Sequence, residues 1–143
     1  MSQSYACLRQ WLLPSLLQVE AASSRAFYPH RLFEVGEAAI PDNQADAGSR
    51  TVMLVGALIA HAQAHFSELH SCLDLLLYYL DRPYQLEALD HPSFLTGRAG
   101  RILCEGRAVG MLGEIHPEVL EQWQIEMPAV AMELDLQQLL DVH

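Results

Sequence analysis

His61, His65 and His70 are the densest group of potential metal ligands in the sequence, and His61 and His65 stand four residues apart. That spacing lets two imidazoles share a metal on one helix face, given a third ligand. The residues between them are Ala-Gln-Ala, so the glutamate of a zinc-protease helix is missing. The histidines also fall where a strand is expected to hand over to a helix. Asp90-His91-Pro92-Ser93 contains all three residue types of a nucleophilic triad. Triads are assembled in space from separate segments, so this tetrad reads as a turn. Arg31, Glu34 and Glu37 lie on a predicted strand, where alternation puts Arg31 and Glu34 on opposite faces. A catalytic use of these charges stays open, but an ion pair at a surface or interface fits them better. Gly110-Met111-Leu112-Gly113 has two glycines of a phosphate loop without the full spacing. The chain has no lysine, which excludes a P-loop and a lysine Schiff base. No segment supplies a nucleophile, a base and an oxyanion-binding group together.

Composition narrows the field further. The 143 residues suit one domain, and 51% of them are apolar, enough for a core. Eighteen acids face eight bases, all arginine, for a net charge of −10. The arginines are scattered, so the basic patch that phosphate binding requires is lacking. Such an acidic surface suits a protein partner with basic patches. Cys7, Cys72 and Cys104 are odd in number and far apart, as expected of buried thiols in a reducing compartment. No run of 18 apolar residues exists to span a membrane, and no secretory signal is visible. A cytoplasmic location is expected.

The elements that would position these residues follow from periodicity. Leu8, Leu12, Leu16 and Val19, widened by Leu13 and Leu17, predict a helix over Tyr5 to Val19. Pro14 either opens a new helix there or kinks a long one. Arg31 to Ile40 reads as a strand with a bulge expected at Gly36, and Pro41 to Arg50 as a loop. Thr51 to Ala60 is apolar throughout and predicts a strand buried on both faces. Phe66 to Leu80 predicts a helix capped by Ser67. Tyr84 to Leu89 is a strand. Gly100 to Cys104 and Ala108 to Ile115 form a hairpin turning at Glu105-Gly106, and Gly110 and Gly113 imply a bend or a close backbone approach. Pro117 opens a helix to about Trp123. Ala129 to Leu136 is a strand, and Leu139 and Leu140 finish in a short helix. The expected fold is α+β, a largely antiparallel sheet with helices on one face.

Five stretches together carry a resemblance. They are LRQWLLPSLL (8–17), RLFEVG (31–36), FSELHSCLDLLL (66–77), HPSFLTGRAGRI (91–102) and VGMLGEIHPEVLEQWQIEMPAVAMELDL (109–136). Their order and spacing resemble the C-terminal catalytic-like module of the phenylalanyl-tRNA synthetase β subunit, over nearly the whole chain. The resemblance implies the fold of class II aminoacyl-tRNA synthetase cores. It implies a module that has lost catalysis and serves as scaffold for an α subunit, which joins phenylalanine to tRNA(Phe) using ATP and Mg. Two αβ units would form an (αβ)2 assembly. No cofactor, metal or direct nucleic-acid contact is expected of this chain itself.

Carried over by position, Leu12, Leu13, Pro14, Leu16 and Leu17 belong to a helical segment at the subunit interface, with Arg31 and Glu34 beside it. Active class II enzymes bind ATP through an Arg-x-Glu motif on the strand that Arg31 to Glu34 occupies. Here the spacing is Arg-x-x-Glu, so the role does not transfer. Gly110 to Glu114 is followed by Ile115, where the third class motif needs Arg. Residues 1–143 are expected to be a single catalytic-like domain, a C-terminal fragment of a longer subunit, with an ending of archaeal or eukaryotic type. The alternatives are a stand-alone class II synthetase-like small-molecule ligase or transferase, and a metal-dependent protein using the three histidines. The scaffold reading predicts an exposed apolar patch at Leu12, Leu13, Leu16 and Leu17.

Overall fold

The computed structural model describes residues 10–44 and 48–141. Cys7, the start of the helix expected from Tyr5, and part of the 41–50 loop lie outside the described residues. The elements run α1 (Leu13–Ala22), β1 (His30–Pro41), β2 (Ser49–Ala60), α2 (Phe66–Tyr79), β3 (Gln85–Ala88), β4 (Phe94–Cys104), β5 (Arg107–Ile115), α3 (Pro117–Gln122), β6 (Ala129–Asp135) and α4 (Leu136–Leu140). The six strands form one sheet in the order β1-β2-β6-β5-β4-β3, and every pairing is antiparallel.

The helices cover both faces of the sheet, not one. Leu13, Leu16 and Leu17 of α1 pack against Leu58, Ala60 and Ala131 on one face. Leu69, Leu73 and Leu77 of α2 and Leu139 of α4 pack against Ile59, Val130, Met132 and Leu134 on the other. The reason lies in β6, whose residues Ala129 to Leu134 are all buried. A strand apolar on both faces needs cover on both, at roughly 1.5–3 kcal/mol for each large side chain removed from water. β2 meets the expectation of two-sided burial only at Leu58, Ile59 and Ala60. Thr51 and Met53 are exposed on one face, while Val52 and Leu54 on the other are buried with Leu12 and Ala38.

Local details settle the open sequence questions. Pro14 sits in the first turn of α1 and opens a new helix. Gly36 carries no bulge, since β1 and β2 stay in register throughout; the irregularities fall in β4, near Ala99 and between Ile102 and Leu103. The N-cap of α2 is His65 rather than Ser67, and the Phe66 N–H donates to Glu114 Oε2 at 3.0 Å. Glu105 and Gly106 both take positive φ, 52° and 76°, as a two-residue hairpin turn requires. Cys104 is buried but Cys72 is exposed on the outer side of α2, so only one of the two described thiols is a core residue. The close approach expected at the glycines is real. A Cβ on Gly110 would lie 2.2 Å from the Glu133 carbonyl oxygen, and one on Gly113 would lie 2.7 Å from the Phe94 ring.

Two buried carboxylates hold the ends of α1. Glu133 on β6 accepts the Leu12 N–H at 3.0 Å, one of the donors a helix start leaves unpaired. At the other end Glu20, 1% exposed, meets His30, 7% exposed. His30 Nδ1 lies 2.9 and 2.8 Å from the two Glu20 oxygens, and Nε2 lies 3.2 Å from the Ala26 carbonyl. Both ring nitrogens face acceptors, an arrangement that favours the doubly protonated ring. Burial pulls the His30 pKa down, but the Glu20 carboxylate and the Ala26 carbonyl push it up further, and it ends above the ordinary value.

Three outcomes follow for stability. Gly110→Ala drives a methyl into the backbone of β6 and should cost about 3 kcal/mol in urea unfolding. A raised folded pKa at His30 means its contribution is complete below about pH 6.5 and is lost as pH rises through the folded value. Urea midpoints measured from acidic to alkaline pH should therefore fall, and His30→Gln should flatten that slope. Glu20→Gln should cost about 3–5 kcal/mol at low pH by stranding a buried cation. A slope unchanged in His30→Gln would remove the assignment.

Candidate subunit interface

The patch predicted at Leu12, Leu13, Leu16 and Leu17 is not exposed. These residues are 0%, 4%, 3% and 3% exposed, so they offer no exposed apolar surface in the described fold. They are used up internally because α1 lies flat on the sheet, so close to Gly56 that a Cβ there would come within 3.0 Å of Leu16 Cδ1 and 3.2 Å of Leu12 Cβ. Pro14 is half-buried, Arg31 is exposed and Glu34 is half-buried. Arg31 pairs with Ile59 on the α2 side, whereas Glu34 pairs with Gly56 under α1. The two are on opposite faces, as alternation requires.

The exposed apolar residues lie elsewhere. Phe33 and Val35 on β1 are 79% and 55% exposed, and Met53 on β2 is also open. Leu75, Tyr78 and Tyr79 form an exposed stripe on α2, and Leu140 is exposed on α4. The signal for these was present in the sequence. Phe33 and Val35 share the alternation of Arg31, and Leu-Leu-Leu-Tyr-Tyr at 75–79 is too apolar for a helix with one buried stripe.

The α1 face stays open toward β3 and β4, forming a groove of about 350 Å³ lined by Gln10, Leu54, His91, Arg101, Met111 and Glu133 among others. Its charged groups are engaged. Arg101 Nη1 donates to Glu87 Oε1 at 3.0 Å, and Glu133 holds Leu12. Burial lowers the His91 pKa, and His91 Nδ1 accepts the Ser93 backbone N–H at 3.1 Å. The Asp90–Ser93 tetrad is thus a turn closed on its own backbone. Gly110 and Gly113 admit neighbouring strands and rings rather than a phosphate.

The histidines do not converge. His61 Nε2 lies 2.7 Å from Glu68 Oε1, His65 Nδ1 faces the Gln63 carbonyl at 3.0 Å, and His70 stands 3.9 Å from Asp74 beside Phe66 and Tyr84. Among the described residues no group of three or more His, Cys, Asp or Glu is placed to hold a metal ion.

A family model described as the phenylalanyl tRNA synthetase beta chain CLM domain matches residues 1–136. The chain belongs to that family. The phenylalanine–tRNA ligase β subunit of Thermococcus gammatolerans is 40% identical over 138 residues, covering 96% of this chain and 24% of the relative. That of Treponema pallidum is 41% identical over 140 residues, covering 98% and 23%. The chain therefore spans about a quarter of the length of the curated relatives it matches. In fold, this CLM domain is similar to a pyrrolysyl-tRNA synthetase, PylSc of Desulfitobacterium hafniense. The TM-score is 0.71 at 21% identity, over 94% of this chain and 49% of that one. The antiparallel six-stranded sheet with flanking helices is thus of the class II synthetase type. No helix among the described residues is long and apolar enough to cross a membrane.

Zinc addition is expected to leave the melting temperature of this CLM domain unchanged, and His61→Ala should act only through its bond to Glu68. A zinc-dependent upward shift lost in His61→Ala would reverse that reading.

Proposed function

We propose that this chain is a non-catalytic assembly domain of a phenylalanine–tRNA ligase β subunit. It would support the α subunit that attaches phenylalanine to tRNA(Phe). The family match over residues 1–136 carries this reading. ATP and Mg would act at the α subunit, within an (αβ)2 complex in the cytoplasm. Contact with tRNA would come through the rest of that complex.

The chemistry of the groove supports a division of labour. ATP needs cationic groups free to meet its phosphates. Arg31 lies on the face away from the groove, and Arg101 in the groove is held by Glu87. The remaining lining charges, Glu133 and Asp135, are acidic. These residues do not fit ATP. A net charge of −10 favours a partner with basic surface. The exposed Leu75, Tyr78 and Tyr79 on α2 supply the aromatic and aliphatic anchors typical of interface centres.

Co-expression with an α subunit from the same source should yield a complex that survives co-purification. Tyr78→Ser with Tyr79→Ser should weaken it while leaving the circular dichroism of the chain unchanged. Calorimetry of the chain alone with ATP and phenylalanine should show no saturable heat. Saturable binding would favour a stand-alone ligase or transferase and sink the scaffold reading.

A further inference from the structure

The segment 21–29, between α1 and β1, holds no buried residue, and Phe27 on it is 98% exposed. The two residues that bracket it, Glu20 and His30, are buried. Ala21 and Tyr28 rest half-buried on the α1 core near its two ends. Ser23 bonds to Val19 and Glu20 at the end of α1, and the Ala26 N–H donates to the Ser23 carbonyl. Beyond these, among the described residues, segment 23–27 is tied down by one hydrogen bond, between His30 Nε2 and the Ala26 carbonyl at 3.2 Å. The Tyr28 ring stacks on the His30 imidazole, with centroids 3.9 Å apart and 20° between the planes. Glu20 from α1, Ala26 from the segment and Tyr28 from beside β1 thus meet on one buried imidazole.

We propose that His30 is a proton-operated clasp. With both ring nitrogens protonated it holds segment 23–27 against the fold, and with one proton lost it releases that segment while the sheet stays intact. The chemistry is a count of donors. A protonated ring donates from both nitrogens, whereas a neutral ring donates from one and presents a lone pair at the other. The neutral ring cannot serve Glu20 and Ala26 together. Its remaining proton goes to Glu20, because an unpaired carboxylate that is 1% exposed costs far more than the carbonyl of an exposed residue, which water can reach. Nε2 then turns a lone pair toward the Ala26 oxygen, and attraction becomes repulsion. Loss of the ring's charge also weakens its attraction to the face of Tyr28.

The surroundings leave His30 as the group that titrates. Glu20 is the charged side chain that acts on it, and on β2 it stands opposite Ala60. Burial, Glu20 and Glu126 all raise the Tyr28 pKa, so the phenol stays neutral while the imidazole loses its proton. Burial lowers the His30 pKa, but Glu20 and the Ala26 carbonyl raise it further. The clasp is therefore closed below about pH 6.5 and opens as pH rises through the folded value. The opening precedes global unfolding, because it breaks one bond at the surface and leaves Leu13, Leu16 and Leu17 seated in their core.

Trypsin reads the clasp, since Arg25 lies in the released segment and Arg107 lies in the β4–β5 ladder as an internal reference. Long-range proton–nitrogen spectra of the ring give the His30 titration in the same samples. From about pH 6 to about pH 10, cleavage at Arg25 relative to Arg107 should rise about tenfold, the worth of one hydrogen bond to a charged group. Its midpoint should coincide with that of the ring. His30→Gln, confirmed as folded by circular dichroism, has nothing to titrate, and its ratio should be high and flat with pH. If that variant does not fold, the native ratio and the ring midpoint decide the matter. The proposal is overturned if the native ratio is flat, if its midpoint departs from that of the ring, or if His30→Gln keeps the native profile. It is equally overturned if both sites open together, since the whole domain would then be unfolding. All the groups of the clasp lie within this chain, so the outcome is separate from that of the co-purification.

Discussion

Strand β6 is buried on both faces, and the arrangement of the other elements follows from that constraint. It sits at the centre of the sheet between β2 and β5. Its alternate residues feed two different cores, Ala129 and Ala131 under α1, and Val130, Met132 and Leu134 under α2 and α4. Small residues on one side and large ones on the other set how closely each layer approaches. Gly56, Gly110 and Gly113 extend this pattern onto the neighbouring strands. There the absence of a Cβ lets Leu12 and Leu16, the β6 backbone and Phe94 close in.

Polar groups enter this apolar framework only where they terminate something. Glu133 is the one charged side chain among the buried residues of β6, and it caps the start of α1. Glu20 ties the end of the same helix to His30 at the start of β1. Glu114 on β5 meets the first N–H of α2 and also Arg98, whose Nη1 lies at 3.1 Å. Arg82 donates to the Leu139 and Leu140 carbonyls at the end of α4. Each of these charges is spent on a helix terminus or a chain crossing, where unpaired backbone groups or a second buried charge would otherwise be costly. The result is a synthetase-type sheet whose charged residues serve its architecture.

Much of this was legible from periodicity. All six strands and all four helices among the described residues overlap elements expected from alternation, the 3.6-residue repeat and turn residues, but α1 runs from Leu13 to Ala22 rather than from Tyr5 to Val19, and β4 starts at Phe94 rather than Gly100. The Glu105-Gly106 turn and the close-packed glycines follow from local chemistry. The misreadings share one cause. Leu12, Leu13, Leu16 and Leu17 form an apolar stripe that looks the same whether a partner chain or the chain's own sheet covers it. Ser67 is a good cap by residue type, yet Glu114, forty-eight residues from Phe66, supplies the acceptor instead. Burial against distant segments decided each case.

The sequence alone determined the element types, the α+β class, the acidic surface and the family, because these rest on local spacing and on residue identity. Only the tertiary structure decided which apolar faces are spent inside the chain and which remain outside. It moved the open surface from α1 to Phe33, Val35 and the outer stripe of α2. It also joined Glu20 to His30 and Glu133 to Leu12. Such pairings depend on which strands lie side by side, and strand order is set by how two cores close around β6, a property no single segment carries.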